Sequence, residues 1–95
     1  EILKETGCPV IYDASHSVQQ PGAMSNQSGG ESQYIPTLAR AATAAGIDGI
    51  FIETHPNPDD ALSDGKNSLN IMNLKELLGT ICSINAIIKN IEEYK

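Results

Sequence analysis

Gly49-Ile50-Phe51-Ile52-Glu53 is the stretch that decides the fold. Three apolar side chains stand in a row and a carboxylate closes them. The run is too short for a helix, and without polar alternation it reads as a strand buried on both faces. Pro9-Val10-Ile11-Tyr12-Asp13-Ala14 has the same design, apolar up to Asp13. Between the two, Ile35, Leu38, Ala39, Ala42 and Ala45 recur at helical spacing. Pro36 is tolerated only in a first turn, so this helix is expected to start near Ser32 or Gln33. Gly46 suits the residue just past its end.

Past the second strand comes another helix. Asn73 and Glu76 form a capping-box pattern, with Met72 and Leu77 placed to staple across it. Leu74, Leu77, Leu78, Ile81, Ile84, Ile87, Ile88 and Ile91 then share one face. Lys89 and Lys95 lie near the C-terminus, where positive charge is favoured. Residues 17–31, rich in Gln, Ser, Asn and Gly, read as a long polar loop, and residues 54–72 as a second one. Such loops in compact domains are usually functional or mobile.

The order is therefore βαβα, with apolar strands that belong in a parallel sheet covered by helices. Two strands alone leave edges unpaired and faces uncovered. The chain reads as two βα units of a larger sheet or barrel, and a complete (β/α)8 barrel takes about 250 residues. That the first of its 95 residues is Glu1 rather than Met agrees with a piece of a longer chain.

Composition narrows the function. A net charge of −6 disfavours nucleic acid as a partner. The sequence shows no signal peptide and no stretch approaching about 20 apolar residues, so nothing in it is expected to span a membrane. Two cysteines, Cys8 and Cys82, are too few for a disulfide scaffold and read as reduced thiols in the cytoplasm. Cys82, on the last helix, reads as a packing residue.

In a βα barrel, chemistry sits at the C-terminal ends of the strands. The first strand delivers Asp13 and His16 there; the second delivers Glu53 and His55, followed by Asp59, Asp60 and Asp64. Imidazole and carboxylates converging on one face are suitable ligands for Zn²⁺, Fe²⁺ or Mn²⁺. Each residue also has a plainer reading. His16 suits a structural histidine, Glu53 a solvated strand end, and Asp64 a turn before Gly65. His55 suits either support of the site or loop packing, and Asp13 either orientation of His16 or a place in the barrel floor. Ser28-Gly29-Gly30 allows close backbone approach to an anion or simply a hinge.

Asp13-Ala14-Ser15-His16-Ser17-Val18-Gln19, Ser28-Gly29-Gly30, Glu53-Thr54-His55-Pro56-Asn57-Pro58 and Ala61-Leu62-Ser63-Asp64 together resemble the 3-deoxy-D-manno-octulosonate 8-phosphate synthases. The resemblance covers nearly the whole chain from Pro9. It implies the last two βα units of a (β/α)8 TIM barrel, with residues 1–95 the C-terminal fragment of a single domain. It implies condensation of phosphoenolpyruvate with arabinose 5-phosphate, on the route to lipopolysaccharide, by a cytoplasmic homotetramer. His16, Glu53 and Asp64 match three metal ligands of the metal-dependent branch. His16 is also expected to contact the phosphoenolpyruvate phosphate; Gln19 and Ser28, from their place in the polar loop, are expected to contact substrate, and Asp13 and His55 are candidates for support behind the ligands. The fourth family ligand is a cysteine on the first barrel strand, outside this sequence. Cys8 does not replace it, because eight extended residues separate Cys8 from His16 by about 26 Å. Ser63-Asp64 resembles the metal-dependent branch, and Gly65 is shared with the other.

The nearest rival resemblance is to 3-deoxy-D-arabino-heptulosonate 7-phosphate synthases, which use erythrose 4-phosphate. Ala14 and Ser17-Val18-Gln19 favour the octulosonate family. A non-catalytic reading also stands for the chain by itself. Its cations are Lys4, Arg40, Lys66, Lys75, Lys89 and Lys95, of which only Lys66 falls near the expected site.

Overall fold

A computed structural model describes residues 1–24, 27–30, 32–57 and 68–93. The elements that position the site are β1 (Ile11–Asp13), α1 (Ile35–Ala45), β4 (Gly49–Phe51) and α2 (Leu74–Glu93). β1 and β4 pair in parallel, Ile11 opposite Gly49, Tyr12 opposite Ile50 and Asp13 opposite Phe51. The expected βαβα order and parallel pairing are both present.

Strand parity sorts the side chains into two layers. Tyr12, Ile50 and Ile52 pack against a core of Ala14, Val18, Ile35, Ala39, Leu69 and Leu77, and α1 lies against α2. The residues of opposite parity, Ile11, Asp13, Phe51 and Glu53, belong to the other face. That face is more open than the sequence suggests: Ile11 is 61% and Phe51 47% exposed. The strands were expected to be buried on both sides. Among the described residues β1 and β4 form a two-stranded sheet, and one face has no second layer over it. Ile11 lies over Gly49, where an added Cβ would meet its Cδ1 at 2.6 Å.

The polar segment expected as a loop contains a hairpin, β2 (Gln19–Met24) with β3 (Gln27–Gly30). Its register is irregular between Gln20 and Met24. Pro21 falls there and brings no N–H to the ladder. The second expected loop also contributes two short parallel strands, β5 (Thr54–His55) and β6 (Leu69–Asn70).

α1 begins later than expected. A 3-10 turn over Ser32–Tyr34 precedes it, with Pro36 at its first positions. Its buried stripe is Ile35, Ala39 and Thr43, and the Thr43 hydroxyl donates to the Ala39 carbonyl at 2.7 Å. Gly46 ends the helix as expected, at φ 93°, with its N–H on the Thr43 carbonyl. The Lys4 ammonium reaches the nearby Ala45 carbonyl.

The expected cap of α2 is displaced. Asn70, not Asn73, supplies it, its Oδ1 accepting the Met72 N–H at 2.9 Å ahead of a 3-10 turn over Ile71–Asn73. Met72 then falls inside that turn and is 81% exposed, so no staple forms with Leu77. Of the apolar face, Leu77 is buried, Leu74, Ile81, Ile84 and Ile88 are half-buried, and Leu78, Ile87 and Ile91 are exposed. Cys82 is also exposed rather than packed, because it lies beside that stripe and not on it. Against the reading from sequence, the segment Ile71–Ile91 is long and apolar enough to cross a membrane by length and composition. Lys75, Glu76, Asn85 and Lys89 interrupt it, and its buried side rests on α1.

Ile35 is fully buried, so Ile35→Ala should cost about 2–5 kcal/mol. Gly46→Ala, forced into a left-handed backbone, should cost about 1 kcal/mol. Denaturant midpoints of the intact protein read both; an unchanged midpoint for Ile35→Ala would remove that side chain from the core.

Candidate active site

The chain leaves β1 through a tight polar turn built on Asp13. Ala14 donates its N–H to the Phe51 carbonyl at 2.9 Å, extending the β1–β4 ladder by one rung. The chain then enters a 3-10 helix over His16–Val18. Asp13 holds this turn with three acceptors. Its Oδ1 accepts the His16 N–H at 2.9 Å, its Oδ2 lies 2.8 Å from His16 Nδ1, and its carbonyl accepts the Ser17 hydroxyl at 2.5 Å. Burial raises the Asp13 carboxyl. The hydrogen bonds from the main chain and ring of His16, its charge and the Ser15 N–H outweigh that, so the group sits below its ordinary value. Both of its carboxylate oxygens thus lie against His16, Oδ1 at the main chain and Oδ2 at the ring.

On its other side the His16 ring faces the end of β4. It stacks on Phe51, ring centres 6.3 Å apart and planes 24° from parallel. His16 Nε2 lies 3.5 Å from Glu53 Oε1. The two side chains are about one-third exposed, so the pair is reachable from solvent. A separation of 3.5 Å is long for a hydrogen bond. It matches two donors on one tetrahedral ion, about 3.4 Å apart for bonds near 2.1 Å. With Nδ1 donating to a carboxylate, Nε2 is the nitrogen that can bind a metal, and carboxylate-backed histidines are the common form of such ligands.

The other expected site residues fall as follows. Glu53 sits just beyond β4, its N–H donated to Ser15 Oγ at 2.6 Å and its carbonyl accepting the Leu69 N–H at 2.8 Å. His55 lies on β5, where its Nδ1 accepts the Asn57 N–H at 2.9 Å. That bond places the proton of a neutral ring on Nε2 and ties His55 into its own turn. The main chains of Gln19 and Ser28 lie in β2 and β3, with Gln19 opposite Gly30. Asp64, Asp59 and Asp60 lie outside the described residues. Among the described residues no group of three or more His, Cys, Asp or Glu side chains is placed to hold a metal. The structure thus brings together Asp13, His16 and Glu53. Two further residues were read in the sequence only as parts of a motif or strand. Phe51 backs the His16 ring, and its parity with Glu53 was the available signal. Ser15 ties the two strand ends together, and its position between an apolar strand and His16 was the only hint.

A family model described as "DAHP synthetase I family" matches residues 1–90. Among curated relatives, a 2-dehydro-3-deoxyphosphooctonate aldolase of Coxiella burnetii is 57% identical over 89 residues, 94% of this chain and 32% of that protein. One of Francisella tularensis subsp. novicida is 51% identical over 90 residues, 95% of this chain and 33% of that protein. The chain thus spans about a third of the length of the curated relatives it matches. A solved phospho-2-dehydro-3-deoxyheptonate aldolase (DAHP synthase) of Thermotoga maritima superposes with a TM-score of 0.67 at 38% identity, covering 84% of this chain and 20% of that one. A truncated 3-deoxy-D-arabino-heptulosonate 7-phosphate synthase from Thermotoga maritima gives 0.60 at 36% identity, over 87% of this chain and 26% of its own. These likenesses agree with the fold class expected, βα units of a (β/α)8 barrel. Matched by its family model from residue 1 to residue 90, the chain belongs to the DAHP synthetase I family.

Proposed function

We propose that residues 1–95 form the C-terminal part of a single (β/α)8-barrel domain whose enzyme condenses phosphoenolpyruvate with D-arabinose 5-phosphate. C3 of phosphoenolpyruvate bonds to the aldehyde carbon, water adds at C2, and inorganic phosphate leaves. The product is 3-deoxy-D-manno-octulosonate 8-phosphate. The observation that carries this reading is the name 2-dehydro-3-deoxyphosphooctonate aldolase on relatives 51–57% identical along nearly all of the chain. The reaction belongs to the whole enzyme, working as a cytoplasmic homotetramer on the route to lipopolysaccharide.

In this reading Asp13 fixes the tautomer and tilt of His16, and Phe51 holds the ring flat. His16 Nε2 and Glu53 Oε1, 3.5 Å apart, fit a shared divalent ion, Zn²⁺, Fe²⁺ or Mn²⁺, with Asp64 as a third donor. When bound, the ion supplies positive charge that polarises a carbonyl or orients water. His16 also meets the phosphoenolpyruvate phosphate, Gln19 and Ser28 contact substrate, and His55 supports the strand end. Glu53, on the open face of the sheet, is the carboxylate best placed to hold or move a proton there.

A second reading rests on the solved neighbours, which are named as heptulosonate enzymes. Their identities, 38% and 36%, fall well below the 51–57% of the octulosonate relatives.

Phosphate release by the intact protein separates the two. Release with arabinose 5-phosphate and not with erythrose 4-phosphate is expected, and the reverse would move the protein to the heptulosonate reaction. A chelator should abolish release and added divalent ion restore it; full activity in chelator would remove the metal. Glu53→Gln should lower turnover on the order of 100-fold without unfolding the protein, and normal turnover would take Glu53 out of the site. Asp13→Asn should weaken metal retention about 10- to 100-fold, and His16→Ala should weaken it further. Unchanged metal content in both variants would refute the ligand assignment.

A further inference from the structure

The ladder between β1 and β4 runs out one rung before the chemistry begins. Its last main-chain bond is Ala14 N–H to the Phe51 carbonyl, 2.9 Å. The next amide of that parity on the second strand, the N–H of Glu53, needs an acceptor from the β1 side. By then the first chain has turned into the 3-10 helix, where the Ser15 carbonyl accepts the Val18 N–H at 3.3 Å. The Ser15 side chain takes the place of a strand carbonyl. It is 0% exposed, and its Oγ accepts the Glu53 N–H at 2.6 Å. On the far side the Glu53 carbonyl accepts the N–H of Leu69, itself buried, at 2.8 Å. Glu53 is therefore gripped at both main-chain polar groups by buried residues. A peptide unit held this way has little freedom of φ and ψ, so the direction of its Cα–Cβ bond is set.

We propose that Ser15 is a positioning residue for the reaction assigned above. Its buried hydroxyl, by accepting the Glu53 N–H, sets the Glu53 carboxylate opposite His16 Nε2. The inference rests on that functional reading and adds a residue to it. Ser15 touches no reacting atom; it acts through Glu53. What it supplies is an oxygen acceptor at one point, which makes the role separable from packing. Threonine keeps the oxygen, cysteine keeps the shape with a weakly accepting sulfur, and alanine keeps neither.

Ser15→Thr, Ser15→Cys and Ser15→Ala in the intact protein are assayed for phosphate release at varied concentrations of both substrates, alongside melting temperature. Turnover in Ser15→Cys and Ser15→Ala should fall about 10- to 100-fold. KM for both substrates should stay within about threefold, and Ser15→Thr should keep most of the turnover. Wild-type turnover in Ser15→Cys would overturn the proposal. So would equal losses in Ser15→Thr and Ser15→Cys, or losses that follow melting temperature instead of the hydroxyl. Should Ser15→Ala fail to fold, the cysteine and threonine variants still decide. A wild-type protein that releases no phosphate from phosphoenolpyruvate and arabinose 5-phosphate would instead count against the functional reading.

Discussion

An amide drawn away from water needs a partner, and at the part-buried N–H of Glu53 that requirement governs the path of the chain. The N–H goes to Ser15 and the carbonyl to Leu69, so one residue joins the end of β1, the end of β4 and the start of β6. An unanswered buried N–H costs about 1–3 kcal/mol, a sizeable part of the margin by which small domains stay folded. The turn that carries His16 obeys the same rule through Asp13, whose Oδ1 accepts the His16 N–H that the strand no longer serves. Both solutions use a short polar side chain in place of a main-chain carbonyl. Both place a side chain of the candidate site, His16 or Glu53, as the by-product of finishing the backbone's hydrogen bonds.

The alternation of the strands divides the labour between two faces. Tyr12, Ile50 and Ile52 meet the helices, while Asp13, Phe51 and Glu53 meet the imidazole. The helices supply the apolar contact that holds the strands in place, and the opposite face is left to bear charge. Asp13 and Glu53 are each partly exposed. They therefore avoid the full penalty of a buried carboxylate while staying within reach of His16. Electrostatics on that face is concentrated: two carboxylates flank one ring, a pattern that attracts a cation.

Much of this was legible in the sequence. Gly49 to Glu53 and Pro9 to Ala14 announced strands because nothing polar interrupts them, and Gly46 announced a helix end because its backbone needs a positive φ. His16 and Glu53 could be placed at neighbouring strand ends from the βαβα order alone. The less legible features depend on partners far away in the chain. The cap at Asn70 escaped notice because Asn73 has the better local pattern, and only the path from β6 decides between them. The antiparallel pairing of Gln19–Met24 with Gln27–Gly30 escaped because Gln, Ser and Gly carry little strand preference. Ser15 escaped because a serine beside a strand gives no sign of which amide it will meet. The exposure of Phe51 and Ile11 was hidden for a different reason: an apolar run states what a strand prefers to touch, and not what stands beside it.

The two-faced arrangement has a consequence for how such a chain can change over generations. Substitution leaves parity intact, so either layer can be retuned one position at a time. Losing or gaining a single codon inside residues 9–14 or 49–53 is a different event, because it exchanges the faces of everything beyond it on that strand. Asp13 or Glu53 would be turned toward the helices, and an isoleucine toward His16. Length within these two short stretches is therefore under much stricter control than composition. Lineages descending from such a sequence are free to add and drop residues in the connecting segments, while the strands keep their count.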